Sequence, residues 1–214
     1  MEKIKQIDFL MFSAYNIRKG KMGRRDENMN KVIEVIKSRR TTKAFRRDEQ
    51  IKDEELEIIL EAGNWAPTGH NTQPWFFTAI QNRELIDKLN VLAKEAGKAS
   101  KDEITQKMCS NEMLDLFYGA PTIVIVSYEK EDLTPIEDVS AASQNMLLAA
   151  ESLNIASCWN GIVRMFFSQM REEQKEEFGI PENYIPHIVL AFGYPKIKVM
   201  NIPQRNKNYR KIIK

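Results

Sequence analysis

Pro121-Thr122-Ile123-Val124-Ile125-Val126-Ser127-Tyr128 is a continuous apolar run introduced by proline, and it reads as a buried strand. It is far too short for the roughly 20 apolar residues of a membrane-spanning helix. Asp138–Asn154 follows, rich in alanine and poor in charge (Ala141, Ala142, Met146, Leu147, Ala149, Ala150), a pattern that predicts a helix buried on more than one side. Ile155–Trp159 then reads as a short strand. Working outward, aromatic Trp75–Ile80 and apolar Ile188–Phe192 are further strands. Between them lie helical patterns. Val32, Ile33 and Ile36 recur at helical spacing after Met29, and Asp53 with Glu54 and Glu55 supplies an N-cap and acidic first turn for Leu56–Gly63. Asn82 can cap a helix carrying Leu85, Ile86, Leu89, Leu92 and Ala93, and Ser168 is placed to cap Gln169–Phe178, with Gly179 ending it. Residues 98–117 are polar with scattered Met and Leu, either helix or a mobile excursion. Strands and helices intermix, with long helical stretches between strands: an α+β layout.

The 214 residues, 43% hydrophobic and 29% charged, suit a soluble globular chain of one large domain or two small ones and exclude a disordered chain, a collagen-like repeat or a coiled-coil rod. Formal charge is +2, and residues 1–28 hold seven of the 32 basic residues but four of the 30 acidic ones. The excess is therefore local, which predicts a flexible basic leader over 1–28, a compact domain over 29–214, and neither nucleic acid nor membrane as partner. Two cysteines, Cys109 and Cys158, are no disulfide framework, and no secretory core or cleavage pattern follows Phe9–Tyr15; the expected address is cytoplasmic.

Several chemistries lack their residues. There is no Gly-x-Gly-x-x-Gly or Gly-x-x-x-x-Gly-Lys-Ser/Thr phosphate loop, no Gly-x-Ser-x-Gly elbow and no Cys-x-x-Cys, and His70 and His187 lie far apart, so no metal site is expected. Two segments stand out. Ser38-Arg39-Arg40-Thr41-Thr42-Lys43-Ala44-Phe45 combines Arg39, Arg40 and Lys43 with the Thr41 and Thr42 hydroxyls, either a phosphate grip or a solvated basic end of the preceding helix. Pro67-Thr68-Gly69-His70-Asn71-Thr72-Gln73-Pro74-Trp75 offers amide donors and acceptors suited to a heteroaromatic ring edge, or is simply a loop of turn formers.

Together, Arg-Arg-Thr-Thr-Lys-Ala-Phe and Ala-Pro-Thr-Gly-His-Asn-Thr-Gln-Pro-Trp resemble the nitroreductase family of FMN-dependent oxidoreductases. Ala142–Leu153 with Ile155–Gly161 is similar to that family's central helix and the strand after it, and Pro186–Pro195 to its last core strand, so the resemblance runs from about Met29 to the C-terminus. It implies a central, mostly antiparallel sheet flanked by helices, in an intertwined homodimer with two flavins at the interface. It implies phosphate-side contacts at Arg39, Arg40, Thr41 and Lys43, and a loop facing the partner subunit's flavin at Pro67, Thr68, Gly69 and Asn71. It further implies a flavin contact at Asn111, backbone N–H groups at Gly161 and Ile162 near the reactive ring nitrogen, and a basic pair at Arg205 and Lys207. The implied reaction is ping-pong: hydride from NAD(P)H to FMN, then reduction of a nitroaromatic, quinone or related acceptor, with no protein nucleophile required.

Of the remaining residues, Cys158, Trp75 and Trp159 are expected to pack in the core, and His70 to sit on an exposed loop. Met108, Met113 and Phe117 either line an acceptor pocket or form an ordinary amphipathic face. Two rival functions remain open: the same fold turned to reductive dehalogenation or flavin breakdown, and a flavin- or nucleic-acid-binding regulator.

Overall fold

The computed structural model describes residues 30–197, 199 and 201–214; the expected leader over 1–28 and domain start at Met29 lie outside the described residues. The chain divides into two units at Glu34/Val35. In the first, Asn30 Oδ1 accepts from Val32 N (2.9 Å) at the start of helix α1 (Lys31–Ser38). The second holds the remaining elements: α2 (Asp53–Asn64), β1 (Trp75–Ile80), α3 (Arg83–Lys98), α4 (Glu103–Ser110), β2 (Thr122–Glu129), α5 (Pro135–Ser152), β3 (Ala156–Asn160), α6 (Arg164–Phe167), α7 (Glu172–Glu177) and β4 (Tyr184–Gly193).

The four strands form one antiparallel sheet in the order β1-β2-β4-β3, with Phe77 opposite Val126, Val124 opposite Leu190 and Cys158 opposite Ala191. The unbroken apolar character of β2 follows from its place. On one face Ile123 and Ile125 pack with Val189, with Ile86 and Leu89 of α3, and with Phe117, Phe166 and Phe167. On the other, Val124 and Val126 pack with Ile59 of α2 and with Val139, Ala142, Met146 and Ala150 of α5. A strand covered on both faces has no solvent side to alternate toward, and each of its four central side chains is fully buried, worth about 1.5–3 kcal/mol apiece.

Several boundaries differ from the sequence expectation, each for a local reason. Lys52, not Asp53, is the N-cap of α2: its backbone is extended and its N–H donates to Glu55 Oε2 (3.0 Å). Helix α5 starts at Pro135, three residues before Asp138, because proline at the first helical position needs no hydrogen-bond partner. The expected helix over 169–178 is shorter, α7 at Glu172–Glu177, and a separate helical turn, α6, precedes Ser168. Ser168 closes α6, donating from Oγ to Met165 O (2.9 Å), and Arg171 N opens α7 on Gln174 Oε1 (3.0 Å). Strand β3 is shifted by one residue from Ile155–Trp159, and Trp159 lies 38% exposed rather than packed, whereas Trp75 is buried. Strand β4 begins at Tyr184, ahead of Pro186: β3 pairs only with residues 189–193, and β2 is bulged between Val126 and Ser127, so this end of β4 tolerates a missing N–H. Asn82 does cap α3, accepting from Leu85 N (3.1 Å), and 98–117 contains α4, capped by Asp102 on Thr105 N (2.8 Å).

Both thiols lie in the core, and each carries a prediction. Gly97 of α3 touches Cys109 of α4 so closely that a Cβ there would overlap Sγ and sit 3.0 Å from the cysteine Cβ. Gly97→Ala, ordinarily favourable inside a helix, should here cost about 1–3 kcal/mol in urea unfolding, and the cost should shrink in a Cys109→Ala background. Equal costs in both backgrounds would refute the contact. Burial pushes the Cys158 thiol up to about 11 from 9.0. The folded state then holds that proton more tightly than the unfolded chain, so stability falls as pH rises from about 9 toward about 11. In Cys158→Ala that alkaline decline should be shallower in chemical-denaturation midpoints; an unchanged slope would contradict it.

Candidate functional site

Past α1 the chain straightens and is pinned along its length. Thr41 bridges Ser157 in parallel, Thr42 N donates to Ser157 O (3.0 Å), Phe45 N to Tyr118 O (3.1 Å), and Lys196 N to Ala44 O (2.9 Å). Extended backbone alternates its side chains, so Thr42 is buried between exposed Thr41 and Lys43, while Phe45 is buried out of that alternation. Arg39, whose N–H ends α1 on Val35 O (3.0 Å), Thr41 and Lys43 form an odd-numbered row. Arg40 falls between them and is turned away: its Nη1 donates to Lys37 O (2.6 Å) and Arg39 O (2.8 Å), so this cation closes the end of α1. Of the two sequence readings, the helix-end one describes Arg40, while Arg39 and Lys43 have no ion-pair partner among the described residues. Both act on Cys158, pulling its pKa down against the larger effect of burial, which puts their charges beside β3.

Tyr118 completes this corner, and no local pattern in the sequence singled it out. Lys43 Nζ lies 5.5 Å from its ring centroid. Burial foremost, then Cys158 and Asp115, raises the Tyr118 pKa. The residue sits at φ 57°, held there because Asp115 accepts from Phe117 N (2.8 Å) and Gly119 N (2.9 Å). Arg83, paired with Asp87, reaches Asp115 Oδ2 at 3.6 Å.

At the far end of β3, Asn160 is buried and ties two segments together. Its Nδ2 donates to Leu116 O (2.6 Å) and its Oδ1 accepts from Ile162 N (3.2 Å). The two backbone donors expected here thus differ. The Ile162 N–H is engaged by Asn160, whereas the Gly161 N–H has no partner among the described residues, and a Cβ on Gly161 would meet nothing within 4 Å. Gly161 and Ile162 line a shallow, open surface depression of about 490 Å³ that is also bounded by Thr105, exposed Arg164, Met165 and Ser168. Asn111 is outside that lining: its carbonyl accepts from Lys94 Nζ (2.7 Å) and its Oδ1 from Met113 N (3.1 Å). Phe117 is core, and Met113 is 93% exposed, so neither lines the depression.

The loop before β1 is a separate construction. His70, Asn71 and Gln73 all sit at positive φ (51°, 59° and 50°), an uncommon concentration for residues other than glycine. The buried Asp138 of α5 holds it, accepting from Gly69 N (3.3 Å) and Thr134 Oγ1 (3.1 Å). Thr72 Oγ1 donates to Asp132 (2.9 Å), Gln73 N to Thr68 Oγ1 (3.3 Å) and Gln73 Nε2 to Asn71 Oδ1 (3.1 Å). Among the described residues, none of these hydrogen bonds reaches Arg39–Lys43 or Gly161. Arg205 and Lys207 lie in a C-terminal segment, 201–214, that is exposed throughout. The structure therefore brings Arg39, Thr41 and Lys43 to β3, which ends at Gly161 and Ile162, and leaves Pro67–Asn71, Asn111 and the basic pair elsewhere.

A family model described as Nitroreductase family matches residues 36–194. A relative from Archaeoglobus fulgidus, provisionally named an NADH dehydrogenase/NAD(P)H nitroreductase, is 32% identical over 176 residues, 78% of this chain and 87% of the relative. A nitroreductase from Bacteroides fragilis, solved with bound FMN, matches at TM-score 0.77 and 33% identity over 87% of this chain and 100% of its own. Another, from Desulfitobacterium hafniense and also with bound FMN, matches at TM-score 0.77 and 28% identity with the same coverage. With three quarters of its length matched in this way, the chain belongs to the Nitroreductase family.

Proposed function

We propose that this protein is an FMN-dependent oxidoreductase that takes hydride from NAD(P)H and reduces nitroaromatic, quinone or related acceptors by a ping-pong cycle. The observation that carries the reading is the row Arg39, Thr41 and Lys43, two cations without a carboxylate partner among the described residues and a hydroxyl stitched to β3, whose far end presents the Gly161 N–H, which meets no acceptor among those residues. The row fits a phosphate monoester, which binds best to charge-assisted donors held in fixed positions. The Gly161 N–H fits an acceptor atom on a heteroaromatic ring, and the absent Cβ leaves room for the ring to approach. FMN, bound to the similar proteins from Bacteroides fragilis and Desulfitobacterium hafniense, carries both groups and supplies the hydride chemistry. The chain's own residues then bind phosphate, orient the ring and leave one face accessible, and none has to serve as a nucleophile.

The row and the 67–71 loop have no bond to each other within one chain, so we assign Pro67, Thr68, Gly69 and Asn71 to the site of a second copy, as part of a homodimer. The exposed tail supports this. Ile202, Tyr209, Ile212 and Ile213 are exposed among the described residues, and an arm lying across a second copy would bury them and bring Arg205 and Lys207 to a phosphate. Asn111 takes a supporting role, through the turn that leads to Asp115 and Tyr118.

Reconstituted with FMN, the protein should show oxidised flavin bands that bleach anaerobically on NAD(P)H and return on adding a quinone or nitroaromatic. Failure to bleach would overturn the reading. Sedimentation equilibrium should give twice the 24.9 kDa chain mass, and a monomer would refute the shared site. The two kinds of cation should separate cleanly. Lys43→Ala should raise the FMN Kd about ten- to hundredfold with little change in melting temperature. Arg40→Ala should instead cost about 1 kcal/mol of stability and change the FMN Kd little.

A further inference from the structure

We infer that Arg164 makes the depression beside Gly161 and Ile162 a subsite for an anionic group, a carboxylate on the acceptor or a phosphate on the dinucleotide donor. The inference rests on the flavin reading above for what lies at Gly161. Arg164 lines the depression, and its guanidinium has no carboxylate or carbonyl partner among the described residues, whereas Arg46, Arg47, Arg83 and Arg171 each meet a carboxylate. The other polar linings do not compete for an anion or neutralise the cation. Ser168 Oγ donates to Met165 O (2.9 Å), and Asp102, whose carboxylate bonds to Thr105, is engaged in capping α4. His187 of β4, outside that lining, is a titratable group on which the Arg164 charge acts. Burial first, then the Arg164 charge, lowers its pKa, so the imidazole is neutral near pH 7 and adds no second cation. Ile162 and Met165 give the same depression apolar walls. A planar aromatic body carrying one anionic substituent matches that lining: apolar contact along the walls, and a forked pair of N–H donors at the end.

Two isosteric acceptors, 4-nitrobenzoate and 4-nitrobenzamide, test this on FMN-reconstituted wild type, Arg164→Gln and Arg164→Lys. In Arg164→Gln the kcat/KM ratio of nitrobenzoate to nitrobenzamide should fall about tenfold, carried by KM, and Arg164→Lys should recover part of it. A donor arm compares NADPH with 1-benzyl-1,4-dihydronicotinamide, which lacks phosphate; a fall in that ratio instead assigns the subsite to the donor. Calorimetric titration with benzoate and benzamide reads the same site without turnover, with about a tenfold rise in Kd for benzoate alone. If neither ratio moves by more than twofold, or all four rates fall together, the subsite is refuted. Failure of FMN to bind or bleach would sink the flavin reading, while benzoate calorimetry would still report on Arg164.

Discussion

The outer edge of β3 is the constraint on which the site depends. In the order β1-β2-β4-β3 this strand has β4 on one side only, and an open edge must be covered or it invites pairing with another chain. Thr41 and Thr42 cover it, through a parallel bridge and one backbone hydrogen bond to Ser157. That cover sets everything else in register. It holds the chain leaving α1 against β3, with Thr41 and Lys43 exposed and Thr42 inward. It also ties the row to a strand whose last residue, Asn160, organises Gly161 and Ile162. The proposed phosphate grip and ring-edge donor would thereby be held by the two ends of one five-residue strand.

A second layer of support comes from αL residues held by carboxylates. Asp115 fixes Tyr118 beneath Lys43, and Asp138 fixes the loop containing His70, Asn71 and Gln73. Each positive φ on a residue other than glycine costs conformational energy that the surrounding hydrogen bonds must offset. Both sites are rigid for that reason, which suits binding groups that must not reorganise while hydride moves.

Much of the fold was legible because its signals are local or periodic. The β2 run, the Asn82 cap and the alanine-rich α5 each declare themselves within a few residues. The misplacements came where a distant partner decided. The start of β4 at Tyr184, ahead of the apolar run from Ile188, depends on the short reach of β3 and the β2 bulge. Ser168 reads as an N-cap, but Arg171 makes the better one because Gln174 reaches back to its backbone. In the site, the residue types at 39–43 left a phosphate grip and a solvated helix end both open, and only the fold separates Arg40, spent on a helix end, from its neighbours. Tyr118 and Arg164 carry no sequence signal at all. Their roles depend on which segments the sheet brings beside them.

On the proposed reading, the row pinned to β3 holds a phosphate. Comparing FMN with riboflavin on the wild-type protein isolates that interaction, because the two ligands share the ring and differ in the phosphate. Equilibrium titration by flavin fluorescence should show FMN binding about a hundredfold or more tighter, as expected for several charge-assisted hydrogen bonds. Equal affinity for the two would mean that Arg39, Thr41 and Lys43 serve some other purpose.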